Sequence, residues 1–267
     1  MLANDIDDVL RILTGIVADC QARRDPLGYF PALYRQVTLK VKEGIETGFF
    51  DDGDRMARFD ALFANRYFMA YDAFRAGGRP SKSWQVAFGA TQTGQLIILQ
   101  DLLVGINAHI NLDLGVVTGE AFQGAALESF HGDFDKINVI LGSLIQVVEQ
   151  VIGRFSPLIG VLDRIGGKDE TEVLDFSLDA ARDDAWLHAS IIALQPPGLW
   201  PLTIQAFDRK TSFLGRLIAN PVGLVARAVS LIRETESKDV AAIIEALDNI
   251  VQSPLGRAVV PTSHTPS

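Results

Sequence analysis

The stretch Leu102-Leu103-Val104-Gly105-Ile106-Asn107-Ala108-His109-Ile110-Asn111-Leu112-Asp113-Leu114 constrains the fold of this chain more than any other. It is too apolar to face water, yet it carries two amides, an imidazole and a carboxylate. Burying such a group without a partner costs roughly 2–7 kcal/mol, so the surrounding protein must supply partners or a ligand must. Two backbone conformations compete. The polar residues alternate with Ile106, Ala108, Ile110, Leu112 and Leu114, and as a strand all four would share one face. As a helix they separate into two i,i+4 pairs, Asn107/Asn111 and His109/Asp113, on roughly opposite sides. Helix is the preferred reading, because no turn signal interrupts the run from Gly94 and its neighbours also read as helix.

Ile6, Val9, Leu10, Leu13, Ile16 and Val17 follow the helical period, with Asn4 or Asp5 as N-cap. A second helix is expected over about 31–47, with Pro31 in its first turn. A third spans about 55–75 behind Asp51, Asp52 and Asp54, and Ser81 caps a fourth holding Trp84 and Phe88. The apolar helix runs from Gly94 to Val117, and Gly115, Gly119 and Gly124 mark a break. Another helix covers about 133–155, with Asp133 as its N-cap, and a short one follows around 158–165. Gly166-Gly167 is the linker, and Asp169 or Thr171 opens a helix to about 194. Pro196-Pro197-Gly198 breaks the chain, and three helices fit 201–218, 222–235 and 239–251. The pattern implies an all-α, single-domain bundle of about nine to ten helices over residues 1–253 around a central apolar helix. Residues 254–267, rich in Pro, Ser and Thr, read as a disordered tail.

A net charge of −9 argues against nucleic-acid binding, which needs a basic patch, and against a polybasic membrane anchor. The acidic N-terminus is no signal peptide. The longest apolar stretch, 96–117, is interrupted by Gln100, Asp101, Asn107, His109, Asn111 and Asp113, so no membrane span is expected and cytoplasmic is the default location. One cysteine, Cys20, excludes an intrachain disulfide and a cysteine metal cluster, and it reads as a core thiol.

Three of the four histidines have an aspartate four residues away: His109/Asp113, His131/Asp135 and Asp184/His188. On a helix each pair can share a proton or hold a metal ion. His109 and Asp113, with Asn107 and Asn111, are the candidate catalytic group: His109 as general base or metal ligand, Asp113 as its orienting partner or second ligand. His131 and Asp135 could complete a metal site with them from the next helix, the ion being zinc, iron or manganese. Asp133, Asn138, Arg182 and Trp186 are candidate substrate contacts. The bland alternatives are a helix cap for Asp133, a surface salt bridge for Arg182 with its guanidinium over Trp186, and a closed structural network for the central four. No dinucleotide fingerprint, P-loop, nucleophile elbow or HExxH motif occurs.

The run Gly105 to Leu114 resembles the signature of a bacterial family catalogued as domain of unknown function 5995. Ala32-Leu33-Tyr34-Arg35-Gln36-Val37-Thr38, Phe49-Phe50-Asp51-Asp52, Arg58-Phe59-Asp60 through Arg66-Tyr67, Asp133 through Asn138 and Arg182 through Trp186 agree with it. The resemblance spans about 25–195 and marks residues without supplying a reaction. The His109-Ile110-Asn111-Leu112-Asp113 spacing is also similar to a zinc-ligand pair of the all-helical zinc-dependent phospholipases C and single-strand nucleases. The sequence departs from their pattern: no third histidine follows shortly, no later HxxxE pair exists, and the N-terminal Trp ligand is absent. A trinuclear centre is not implied; a site for one or two metal ions stays open.

The expectation is thus a small-molecule enzyme with a buried polar pocket and a hydrophobic or lipid-like substrate. With a metal, hydrolysis by activated water is the simplest chemistry; without one, isomerisation or cyclisation by proton transfer. The rival is a non-catalytic helical binding or scaffold protein, and a homo-oligomer is compatible with either.

Overall fold

A computed structural model describes residues 2–162 and 178–252. These form ten α-helices and no strand among the described residues. The Gly166-Gly167 linker, the start of the 169–194 helix and the tail lie outside them.

Local sequence signals set most of the ends. Asp5 accepts from the Asp8 N–H to cap α1 (Ile6–Arg23), whose first turn holds Asp7 and Asp8 against the positive end of the helix dipole. α2 (Tyr29–Glu46) carries Pro31 in its first turn, and α3 (Gly53–Arg75) is capped by Asp52. α4 (Lys82–Gln92) begins at Ser81, and its free Lys82 and Ser83 N–H groups donate to the buried Asp208 carboxylate at 2.8 Å each. The central helix, α5 (Ile98–Ala121), has its Ile98 N–H satisfied by buried Glu236. It is followed by α6 (Ala125–Phe155), α7 (Leu178–Ala193), α8 (Trp200–Ala219), α9 (Gly223–Thr235) and α10 (Val240–Leu247).

α5 is apolar on every side because it is packed on every side. Leu102, Val104 and Ala108 join a core with Phe30, Tyr67, Trp84 and Phe88, while Ile110, Leu114 and Val117 join a second with Phe59, Phe130 and Phe134. Leu112 and Val116 meet Ile192 of α7 in a third. By length and composition α5 and α6 could each cross a membrane, but 89% of the apolar stretch of α5 is buried inside the protein, against 28% for α6.

Two sequence expectations need correction. Gly115 and Gly119 do not break the helix; they lie within α5, where a side chain would collide with α7. A Cβ at 115 would sit 2.7 Å from the Ala185 carbonyl, and one at 119 would sit 2.6 Å from that of Ala189. The glycines thus allow the close approach of two helices, as small residues do. Nor does Asp133 cap α6. That helix starts eight residues earlier, after Gly124, whose φ of 56° and ψ of −131° suit glycine alone.

Candidate functional site

The central motif is helical, but within α5 the six residues His109–Leu114 form a π turn. Such turns insert residues into an α-helix and are common at functional sites. The turn presents its two polar pairs to different neighbours, as a helical reading requires.

One face carries Asn107 and Asn111. Asn111 Nδ2 donates to Asn107 Oδ1 at 3.1 Å, and Asn107 Nδ2 donates to the Thr211 carbonyl of α8 at 3.0 Å. The Asn111 carbonyl sits 3.2 Å from His188 Nδ1 of α7 and also accepts from Thr211 Oγ1. His188 stacks on Phe207 at 3.7 Å, with its Nε2 3.6 Å from Asp184, which Lys210 holds in turn. The Asp184/His188 pair therefore braces the π turn from outside, and α7 and α8 satisfy its displaced polar groups.

The opposite face carries His109 and Asp113. Asp113 Oδ1 accepts from Arg66 Nε at 3.0 Å and Oδ2 from Trp84 Nε1 at 2.8 Å, with His109 Nδ1 3.4 Å from Oδ2. Burial alone would raise the Asp113 carboxyl, but His109, Arg66 and Trp84 outweigh it and hold the group below its usual range. Burial pushes His109 down, only partly offset by Asp113, so the ring is neutral at pH 7. The carboxylate beside Nδ1 selects the tautomer with its proton there, leaving Nε2 with a lone pair.

His109 is enclosed by rings. Phe63 stacks on it at 3.8 Å and 9°, and Tyr34 meets it edge-on at 4.6 Å, with Phe30, Tyr67 and Trp84 behind. His109 is 3% exposed, whereas Phe63 and Arg66 above it are partly exposed, so one ring separates the imidazole from solvent.

Three buried polar atoms in this neighbourhood have no hydrogen-bond partner: His109 Nε2, Tyr34 Oη and Asp60 Oδ2. Burial, with the charges of Asp60 and Asp113 nearby, pushes the Tyr34 phenol well up, so it stays protonated. Burial pushes the Asp60 carboxyl up to about 7. On the other side of Phe30, Tyr67 and Trp84 lies a cavity of about 10 Å³, room for one water, also lined by Thr91 and Asp101. Tyr67 Oη and Asp101 Oδ1 are likewise buried without a partner.

The remaining predicted residues fall elsewhere. Asp133 turns its carboxylate away from α6 to the loop before α3, accepting the Asp51 and Asp52 N–H groups and Arg55 at 2.7, 3.3 and 2.7 Å. These donors outweigh its burial and hold it below the usual range. The Arg182 guanidinium lies over Phe134 at 4.3 Å and donates to the Phe134 carbonyl, while Trp186 stacks on His131 at 4.2 Å. The expected Arg182–Trp186 stack is therefore replaced, because α6 offers each side chain its own aromatic partner. Asn138 on α6 keeps a buried Oδ1 without a partner. Asp133, Arg182 and Trp186 thus knit together α3, α6 and α7.

His131 and Asp135 lie 3.7 Å apart with side chains 51% and 58% exposed, unlike the closed His109 pair. Among the described residues no three His, Cys, Asp or Glu side chains are placed to hold one ion. Both Asp113 oxygens are already taken by donors. The donor set His109, Asp113, His131 and Asp135 therefore does not fit a metal centre.

Sequence reasoning missed Tyr34, Asp60, Phe63, Arg66 and Trp84 as parts of the site. A signal was present on α3: Phe59, Phe63, Tyr67 and Tyr71 recur every four residues. Asp60 has only Met56, Ala57, Phe63 and Ala64 at three and four residues on either side.

Among curated proteins and solved structures, none matches this chain. The model of a family of unknown function, DUF5995, matches residues 6–221, a span that contains both faces of the π turn, and the chain belongs to that family.

Proposed function

We propose that this protein is a small-molecule enzyme that transfers a proton through His109, inside the aromatic enclosure between α2, α3 and α5. One observation supports this reading above the others: His109 Nε2, Tyr34 Oη and Asp60 Oδ2 are all buried and unpartnered. Each such atom costs about 1–3 kcal/mol. A fold that keeps three in one neighbourhood keeps them for something other than stability.

The chemistry follows from their states. Asp113 orients His109 so that Nε2 is the base. The Tyr34 phenol stays protonated and can donate to negative charge developing on a substrate. The Asp60 carboxyl, near 7, gives or takes a proton at neutral pH. The walls are aromatic, so the substrate is hydrophobic and flat or ring-bearing, and Phe63 must swing aside to admit it. Isomerisation, cyclisation or elimination fits this set better than metal-assisted hydrolysis, for which the donors do not converge.

A closed structural network is the second reading, favoured by the 3% exposure of His109 and the three donors around Asp113. Tyr34→Phe separates the two. For an enzyme that retains an unpaired hydroxyl, the variant unfolds in urea at the same or higher concentration. It also loses the thermal shift that a panel of lipophilic ring compounds gives the wild type. A destabilisation of about 1 kcal/mol or more, or unaltered ligand shifts, would overturn the proposal.

A further inference from the structure

The surface of α8 and α9 differs in charge from the rest of the chain. The protein carries −9, yet α8 and α9 hold two acidic residues, Asp208, which is buried against the start of α4, and the exposed Glu234 near the end of α9. The same two helices hold Arg209, Lys210, Arg216, Arg227 and Arg233. Lys210 is paired with Asp184, and Arg233 donates to Gln95. Arg209 and Arg216 bond to the neutral Gln205 and Ser212, and these two and Arg227 are exposed.

α8 is apolar on two sides. Its buried residues are Asp208, Thr211, Ser212, Gly215 and Ile218, mostly polar or small. Trp200, Ile204 and Phe207 pack inward beside Leu112, Val116 and Ile192, but the outward side also holds large apolar groups. At about 100° per residue, Leu202, Ala206, Phe213 and Leu217 fall within about 60° of one another, with Arg209 and Arg216 along one margin. Leu202 is 70% exposed and Phe213 57%, and Val222, in the turn that follows, is 79% exposed. Leu231 extends the apolar surface onto α9, which meets α8 at a 62° bend. An ordinary surface helix points such residues inward.

We propose that the outward side of α8 and α9 docks the protein in the plane of an anionic lipid surface. Leu202, Phe213, Leu217 and Val222 enter the acyl boundary, and Arg209 and Arg216 meet headgroup phosphates. The charge segregation selects an anionic partner on a protein that is acidic overall. Composition favours lipid over protein: the residues that carry binding energy between proteins are enriched in Trp and Tyr and poor in leucine and valine. Here three leucines and a valine accompany one phenylalanine, with arginines at the edge, as in in-plane amphipathic helices. The inference does not rest on the role given to His109.

Co-sedimentation of the full chain tests it, with vesicles of phosphatidylcholine alone and of equimolar phosphatidylcholine and phosphatidylglycerol. Binding is expected on the anionic vesicles only, weakening with salt and about fivefold for each of Arg209→Gln and Arg216→Gln. The double variant Phe213→Glu/Leu217→Glu should lose binding while melting at the wild-type temperature, since both side chains are exposed. Equal binding to the two vesicles, no binding to either, or full binding by the glutamate variant overturns the proposal. So does sedimentation showing a wild-type dimer that the glutamate variant splits, which would assign the surface to a second copy of the chain.

Discussion

The two faces of the π turn in α5 are built from neighbouring residues and treated in opposite ways. On the Asn107/Asn111 face the amides and the freed carbonyl find partners on α7 and α8. On the His109/Asp113 face the carboxylate is fully engaged, yet Nε2 of the ring beside it, the Tyr34 hydroxyl and an Asp60 oxygen are left unpaired. A purely structural core has no use for that asymmetry, since replacing an unpaired polar group with an apolar one of the same shape is neutral or stabilising. Within one turn of helix, one face is satisfied by its neighbours and the other is not.

The largest test is Asp113→Ala. It strands the buried Trp84 Nε1 and leaves the partly exposed Arg66 with Glu120 alone, and breaking a buried ion pair from one side costs up to about 3–5 kcal/mol. Urea unfolding reads this, and a loss under about 1 kcal/mol would mean that Asp113 does not organise its face. Asn107→Ala should cost less, about 1–3 kcal/mol, through the bonds to Thr211 and Asn111. If it also removed ligand-induced thermal shifts while leaving stability intact, the division between the faces would fail.

The pH dependence sharpens the contrast. Asp60 rises from an ordinary 3.8 to about 7 on folding, so the folded state holds its proton where the unfolded chain has released it. Its contribution is fully present below about pH 4 and is lost as pH rises through about 7. His109 acts in the other sense: its folded pKa lies below 6.5, so stability falls as acid protonates the unfolded imidazole first. Asp60→Asn should therefore gain stability relative to wild type between pH 4 and 8, measured as the difference between the two unfolding curves at each pH. A constant difference would show that Asp60 is solvated or paired. Tyr34→Phe is the smallest effect, zero to about 1 kcal/mol of stabilisation, and the most selective for the unpaired face.

Much of the architecture was legible beforehand. The helical period, the caps at Asp5, Asp52 and Ser81, and the apolarity of the central segment follow from local chemistry and lead to the all-α bundle. The separation of Asn107/Asn111 from His109/Asp113 followed from the i,i+4 rule, and the structure keeps those pairs together. The strand-like alternation in that segment reflects polar groups aimed at several packed neighbours, with a π turn among them. Asp133 went wrong because an aspartate ahead of an apolar run is a good cap only if the helix starts there. Gly124 starts α6 earlier, and the carboxylate turns to the loop of another element.

From the sequence alone come the elements, the buried polar motif and the i,i+4 pairing, because these depend on residues within one or two helical turns. Long-range packing alone decides which groups remain unsatisfied. Phe63 covers His109, Arg66 and Trp84 hold Asp113 from 47 and 29 residues away, and Tyr34 and Asp60 arrive without partners of their own. The same distinction governs α8, whose second, outward apolar side appears only once the buried side of the helix is known. Hydrogen-bond satisfaction and burial are properties of a surrounding shell, and that shell is assembled from segments far apart in the chain.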